Sequence, residues 1–456
     1  MRLPPMVLEI LETLERSGEE AFVVGGSVRD MLCGREPKDF DLTTSATPDR
    51  MKKIFAGRRL LETGLRHGTL TLVQDGRAVE ITTYRVDGGY SDGRHPDAVV
   101  FSRRLEEDLA RRDFTVNAMA WHPARGLVDP FGGRSDLERG LLRAVGDPSR
   151  RFTEDGLRIL RGLRFASRFG FTVEGDTASA MLRLRQRLTL VAGERIFSEL
   201  TGLLCGREAT RVLLEFAPVV FAVLPELAPM YGCPQKTVYH QYNVWEHTAV
   251  AVGAVPDVPA LRLTMLLHDA GKPACRVRRE GADHFKGHAA RSAKLAEEIL
   301  TRLACDGRTK RLVVTLIGAH DLRPAPTLSE VRRLVSRFGA GTVRLLFICQ
   351  RADAAGKSDR YRPRQWAEID RLEKILDEVE AEGLCCTVDG MAVDGNDLLA
   401  AGVPAGPKVG RMLSRLLEVM IGQNLPNRKD VLLSALQRLL EEENATGGCS
   451  AEKQNI

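Results

Sequence analysis

Aromatic residues are scarce, only 5% of the 456 positions, which argues against an all-β protein and for a helix-rich one. The nine cysteines are scattered without a CxxC pair. Cys385 and Cys386 stand side by side, a spacing that fits neither a bridge nor a zinc site, so reduced thiols are expected. No apolar run reaches membrane-spanning length and no internal repeat is evident. The opening MRLPPMVLEILETLERSGEE reads as an amphipathic helix carrying acids rather than a secretion signal, so a cytoplasmic protein with no membrane partner is expected. Excess charge is also small: a net +5 and a pI near 8.7 permit a polyanionic partner without demanding one. The length, with an ordinary 43% of hydrophobic residues, exceeds what one core supports and points to about two to four domains.

The most informative stretch present is GGSVRDMLCGREPKDFDLTT, residues 25–44. Val23 and Val24 read as the end of a strand. Gly25 and Gly26 form a turn where backbone approaches a phosphate, and Ser27 to Leu32 start a helix. Asp39 and Asp41, two apart on a strand, point to one face. Neighbouring carboxylates repel and need a cation. An all-oxygen donor set suits Mg²⁺, which takes its remaining ligands from water and phosphate, and a nucleoside triphosphate completes such a site. Two alternating segments follow, Gly68 to Val73 and Ala78 to Tyr84, around the turn Gln74, Asp75, Gly76, Arg77. Glu80 in the second is a candidate third carboxylate.

The glycine-rich run from Val86 to Val100 reads as a mobile loop. Next comes EEDLARRDFTVNAMAW, with Arg111, Arg112, Asp113 and Asn117; on a helix Asp113 and Asn117 share a face. An arginine there holds a triphosphate by forked hydrogen bonds, and an aspartate accepts one from a ribose hydroxyl. In FTEDGLRILRGLRFASRFGF, Thr153 is expected to cap a helix with Glu154 and Asp155 in its first turn. Arg158, Arg161 and Arg164 recur every three residues beside Asp155, while Leu160, Leu163 and Phe169 face a core. A carboxylate and a guanidinium together match the donor and acceptor edge of a base. From Arg143 to Arg187 ten arginines face five acids, a surplus suited to a phosphate backbone.

In this order the glycine pair, VRD, the acid pair, RRD and EDGLR resemble the signatures of the class II tRNA nucleotidyltransferase/poly(A) polymerase family, and the chain is similar nearly throughout to its bacterial CCA-adding members. The resemblance implies an α+β protein: a small mixed β-sheet nucleotidyltransferase head followed by mostly helical neck, HD and tail domains. Asp39, Asp41 and Glu80 would be catalytic, with Mg²⁺ on the aspartates. Gly26, Arg29, Arg112, Asp113, Asp155, Arg158, Arg161 and Arg164 would bind nucleotide, Asp113 at the ribose and Asp155 with Arg158 as the template that selects C or A. DPFGGRSDLERG would be a turn and hinge. Tyr90, Asp92 and Arg94, with Asp87, resemble the long loop that accompanies addition of A as well as C.

Six of the nine histidines fall between His240 and His320. An ordered set with an adjacent His–Asp pair offers mixed nitrogen and oxygen ligands for a transition metal. It resembles the HD superfamily of metal-dependent phosphohydrolases, by which His247, His268, Asp269 and Asp353 would hold a divalent transition metal, with Lys272, His288 and His320 nearby. The segment after about residue 360 resembles the tRNA-binding tail of CCA-adding enzymes, with Gly402, Pro404, Gly406 and Pro407 at a turn and Lys408 beginning a helix.

The expected limits are 1–145 for the head, 146–236 for a neck, 237–358 for the HD domain, 359–440 for the tail and 441–456 for a disordered end. The expected function is addition of CCA to tRNA from CTP and ATP, with phosphatase or phosphodiesterase activity in the HD domain. The alternatives are a poly(A) polymerase, whose relatives lack so clean an EDxxR; a CC-adding enzyme, whose loop is shortened; and an RNA-binding protein or HD phosphohydrolase with a dead head.

Overall fold

Alternation builds the first part of the structure, a computed structural model that describes residues 2–62, 64–74, 76–88 and 99–451. In RAVEITT, Val79, Ile81 and Thr83 are buried while Ala78 and Glu80 are exposed, so the strand covers a core with one face and leaves the other open. The strands are β1 (Ala21–Val24), β2 (Asp41–Thr44), β3 (Arg59–Leu61), β4 (Thr69–Gln74), β5 (Arg77–Thr83), β6 (Ala120–His122) and β7 (Gly126–Val128). They form one sheet in the order β3-β4-β5-β2-β1-β6-β7, parallel between β2 and β5 and antiparallel elsewhere. Its core face packs Val23, Leu42, Leu70, Leu72 and Ile81 against Ile10, Leu11 and Leu14 of the amphipathic helix Pro5–Arg16. The α+β class expected from sequence is the observed one.

The chain forms two compact units. One comprises Met1–Pro229, Pro256–Arg262 and Glu298–Asp306; the other comprises Met230–Val255, Leu263–Glu297 and Gly307–Ile456. In the first, the sheet is followed by helices, among them Pro148–Glu154, Leu157–Phe169 and Gly193–Leu204. Ile159, Leu160, Leu163 and Ala166 bury one side of Leu157–Phe169, which Gly170 ends in the left-handed region. Among its described residues the second unit is built of helices, with a short ribbon, Val277–Arg279 with Ala282–His284. Its last helices, Pro407–Gly422 and Lys429–Ala451, bury Leu416, Met420, Ile421, Leu432 and Leu436. Among the described residues no helix is long and apolar enough to cross a membrane.

Four expectations are corrected. Asp39 lies in a bend before β2 rather than on the strand: Pro37 just upstream cannot donate to a ladder, and Ser27 Oγ donates to the Asp39 carbonyl at 3.1 Å. Asp113 and Asn117 do not share a helix, because the helix Leu105–Ala110 ends first and Phe114 is extended (φ −128°, ψ 150°). Thr153 caps nothing; it closes Pro148–Glu154, whose cap is Asp147, since Pro148 is already pre-set for a first helical turn. Residues 441–451 are helical rather than disordered, because Glu442 and Glu443 pair with Arg415 and Lys408 and extend the last helix. Of the expected loop, Tyr90, Asp92 and Arg94 lie outside the described residues, while its ends pair as Arg85–Asp87 with Val99–Phe101.

Candidate functional site

The register of the parallel pair sets Asp41 directly opposite Glu80, so the two carboxylates leave the same face of the sheet. Burial raises the pKa of Asp41, and Asp39 adds to the rise while Arg112 and Arg161 oppose it. Glu80 is likewise raised, by burial first and then by Asp41 and Asp39. The three carboxylates thus form one electrostatic group, although Asp39 stands off the strand. Ser27, on the helix Gly26–Leu32, ties the glycine turn to this group through the Asp39 carbonyl.

Beside the group lies an open cleft of about 430 Å³. It is lined by Gly25, Gly26, Arg29, Asp41, Arg111, Arg112, Asp113, Asn117, Asp155, Arg158, Arg161, Arg164, Phe165, Arg168 and Arg195, with Leu157. The structure therefore brings every sequence-derived nucleotide contact into one wall, together with Asp41. Asp39 and Glu80 are not in that wall. Eight arginines against three aspartates give the cleft the field of an anion site.

Many of these groups already have partners. Asp113 accepts from Phe114 N at 2.8 Å, Asn117 Nδ2 at 3.1 Å and Arg161 Nε at 2.6 Å. Burial would raise its pKa, but the Arg161 charge and these bonds hold it below the ordinary value. Arg29 donates to Asn117 Oδ1 at 2.6 Å and to Asp30, and sits over the Phe169 ring, so it fixes Asn117 as much as it faces the cleft. Asp155 caps Leu157–Phe169 through Leu157 N and accepts from Arg195 at 3.1 Å. Arg158 donates to Glu154 and to the carbonyls of Arg151 and Arg111. Arg164 is held by Glu199. Arg112 differs. It donates from Nη2 to buried Asp108 Oδ2 at 3.2 Å, its Nε is buried without an acceptor, and its side chain still lines the cleft. Arg195 and Ser27 were missed by sequence reasoning: a lone arginine and a lone serine carry no periodic signal.

In the second unit, His247 sits on the helix Val244–Ala254, which Asn243 and Glu246 cap reciprocally. His268 and Asp269 follow the helix Pro259–Leu267, His288 begins His288–Arg302, His320 follows Gly307–Ala319, and Asp353 sits near the end of Ala340–Ala355. Their ligand atoms form two clusters, His247–His268–Asp269–Asp353 and Asp269–His288–His320, each with all atoms within 4.8 Å of one another. Both Asp269 oxygens are buried without a well-directed hydrogen bond, although Lys272 Nζ lies 2.7 Å from Oδ2. A carboxylate so placed, among imidazole nitrogens, fits a cation. Burial disfavours a charged His268, yet Asp269 and Asp353 lift its pKa to about 9. His240, by contrast, is pushed down to about 3 by burial and by Lys272.

Residues 21–143 match the sequence model "Poly A polymerase head domain". Residues 170–229 match "Probable RNA and SrmB- binding site of polymerase A", and residues 291–436 match tRNA nucleotidyltransferase domain 2. The CCA-adding enzyme of Levilactobacillus brevis is 33% identical over 435 residues, 94% of this chain and 97% of that protein. That of Pediococcus pentosaceus is 30% identical, over 95% and 98%. Among solved structures, the Bacillus stearothermophilus CCA-adding enzyme in complex with CTP superimposes with a TM-score of 0.74 at 26% identity, covering 98% of this chain and 100% of that one.

Proposed function

This chain belongs to the family of CCA-adding enzymes, and on that premise we propose that its head builds the CCA end of tRNA, joining C from CTP and A from ATP to the 3′ hydroxyl without a nucleic-acid template. The observation that carries the reading is the cleft in which Asp41, the glycine turn, Arg112 and the Asp155–Arg158 helix meet.

A divalent metal goes with a nucleotidyltransferase head, and we assign Mg²⁺ to Asp39 and Asp41 with Glu80 beside them. The donors fit: all are carboxylate oxygens, and their mutual repulsion is relieved by a cation. When bound, Mg²⁺ supplies the Lewis acid that lowers the pKa of the attacking hydroxyl and offsets charge on the triphosphate. The protein supplies the rest. Arg112, Arg161 and Arg164 line the cleft and would face the triphosphate. Asp113 keeps a spare acceptor site for the ribose hydroxyl while Asn117 and Arg161 hold it in place. Asp155 and Arg158 present a base-selecting edge once Arg195 and Glu154 share them with the ligand. Gly26 gives the phosphates room at the turn, and Arg29 positions Asn117.

The head (1–145), neck (146–236), metal-site region (237–358) and tail (359–440) belong to the same reading, the neck and tail contacting tRNA through phosphate. The experiment that separates the rivals gives tRNA ending at the discriminator base with CTP, ATP or both, and sequences the 3′ ends. CCA with both nucleotides supports the reading. A run of A alone indicates a poly(A) polymerase, a stop at CC a CC-adding enzyme, and no addition a dead head.

A second activity has its own observation, the buried His247–His268–Asp269–Asp353 cluster. We read it as an HD-type site for a divalent transition metal that hydrolyses a phosphomonoester or a 2′,3′-cyclic phosphate at a damaged tRNA end. Hydrolysis by the parent and none by Asp269→Ala supports this; equal, null rates in both refute it.

A further inference from the structure

We propose that Phe165 is a positioning residue for the triphosphate: its ring gathers the guanidinium groups of Arg29, Arg161 and Arg164 at the cleft and offsets their mutual repulsion before a nucleotide arrives. The proposal rests on the reading of this cleft as the nucleotide site and names what holds its cationic wall together.

The argument begins with charge. Eight arginines and three aspartates line the cleft. Like charges so close repel, and such side chains spread into water unless something holds them. Carboxylates do part of this, but each of the three arginines has its own: Asp30 for Arg29 at 2.8 Å, Asp113 for Arg161 at 2.6 Å and Glu199 for Arg164 at 2.5 Å. Those acids stand on separate parts of the chain, the helix Gly26–Leu32, the segment after Leu105–Ala110 and the helix Gly193–Leu204. One ring is common to all three arginines. The guanidinium carbon of Arg164 lies 4.5 Å from the Phe165 centroid, that of Arg161 5.3 Å and that of Arg29 5.5 Å. All are within the ~6 Å over which the negative face of an aromatic ring attracts a cation.

The ring is built in. Arg161 and Phe165 are four apart on Leu157–Phe169 and so meet on one side of it, while Arg29 reaches them from the helix that follows the glycine turn. Phe165 is 4% exposed, and the exclusion of water strengthens its attraction for charge. Phe114, the neighbour of Asp113, meets the ring edge-on at 5.9 Å and 85°. Gly162 allows that approach, because a Cβ there would lie 2.8 Å from Phe114 Cζ. Phe169 lies 5.9 Å from Phe165 and stacks in turn on Phe171 at 5.4 Å. In a chain poor in aromatics, FASRFGF thus carries three phenylalanines in seven residues, and they continue one column under the arginines. Phe169 extends the pattern, with Arg29 at 4.5 Å and Arg168 at 5.5 Å. Leucine at position 165 would serve packing as well, whereas holding three cations requires an aromatic face.

The consequence is preorganisation. A triphosphate binds the gathered wall, so its apparent Kd is the intrinsic value divided by the gathered fraction. Weakening the ring's negative face lowers that fraction and the affinity for triphosphate, yet leaves kcat at saturation nearly unchanged.

The test places mono-, di- and trifluorinated phenylalanine at position 165 of the full chain by stop-codon suppression. Fluorine drains the ring's negative face and scarcely alters its shape. Affinity for CTP and for inorganic triphosphate is measured by equilibrium dialysis without divalent metal, beside KM and kcat for CMP addition and thermal melts. Both Kd values are expected to climb with each fluorine and reach roughly 2- to 30-fold at three, with KM following. Cyclohexylalanine, which keeps the volume and has no aromatic face, should weaken binding at least as much as the trifluorinated ring. A flat series in chains that melt with the parent overturns the ring's role and leaves the nucleotide reading standing. A parent that binds neither ligand overturns both. Should the trifluorinated chain not fold, the mono- and difluorinated steps decide.

Discussion

Replacing Gly25 by alanine strains the backbone and moves Arg112 at once. Gly25 has φ +70° and ψ −131°, a region in which a side chain costs about 1–3 kcal/mol. For a unit of this size that corresponds to a melting point lower by about 2–12 °C. The added Cβ would lie 3.0 Å from Arg112 Nη1. Arg112 has little freedom to give way, because its other terminal nitrogen is tied to buried Asp108 and its Nε is enclosed. Nη1 must therefore yield by a few tenths of an ångström, which weakens its charge-assisted bond to the triphosphate; full loss of such a bond, about 1.5–3 kcal/mol or roughly 10- to 100-fold in KM for CTP, is the upper limit of the expected effect. The assay is steady-state incorporation of CMP into tRNA lacking CCA, alongside calorimetric melting. Gly18→Ala is the control: Gly18 also has positive φ (+80°), but a Cβ there meets nothing within 4 Å. It should lower the melting point and leave the KM for CTP alone. Equal KM values in the two variants would refute the placement of Arg112 on the triphosphate, and an unchanged melting point in Gly25→Ala would refute the strain.

Asp39→Ala and Asp41→Ala are each expected to abolish nucleotide addition while tRNA affinity, measured by filter binding, stays within about threefold, because phosphate contacts to arginines carry that affinity. Asp108→Asn is expected to destabilise the fold by about 3 kcal/mol near neutral pH, since Asp108 is buried and pairs with Arg111 at 2.7 Å and Arg112 at 3.2 Å. Burial opposes its charge, but the two arginines win and hold its pKa below the ordinary value. A depressed folded pKa stabilises above the unfolded pKa and loses that effect as pH falls through the folded one. The gap between parent and variant in urea melts should therefore be full at pH 7 and close below about pH 4. Arg195→Ala removes the partner that orients Asp155 and is expected to raise misincorporation at the C and A steps about tenfold, read by sequencing 3′ ends; unchanged fidelity would remove Arg195 from base selection.

Much of this was legible along the chain because the signals are local. Period-two burial in β5 identified Glu80 as outward-facing, glycines flanking VRD marked the strand–turn–helix, and the spacing of Arg158, Arg161 and Arg164 put them on one helix. The His268–Asp269 adjacency and the histidine-dense segment marked the side chains that the fold brings together as possible metal ligands. Where local rules failed, the cause was a longer-range competitor. Ser27 pins Asp39 outside the strand, and the early end of Leu105–Ala110 takes Asp113 off a helix yet leaves it bonded to Asn117 across a tight turn.

The sequence alone determined the inventory: which side chains can carry charge, ligate or accept, in what order, and on which face of their own element. Tertiary structure decided which of them meet. His247 and Asp353, 106 positions apart, touch only because their helices pack side by side. Asp155 and Arg158 are already shared with Arg195 and Glu154, and one carboxylate, Asp269, faces two histidine pairs. Dihedral preferences and hydrophobic period act over a few residues, whereas the meeting of distant side chains is fixed by how whole elements bury their apolar faces.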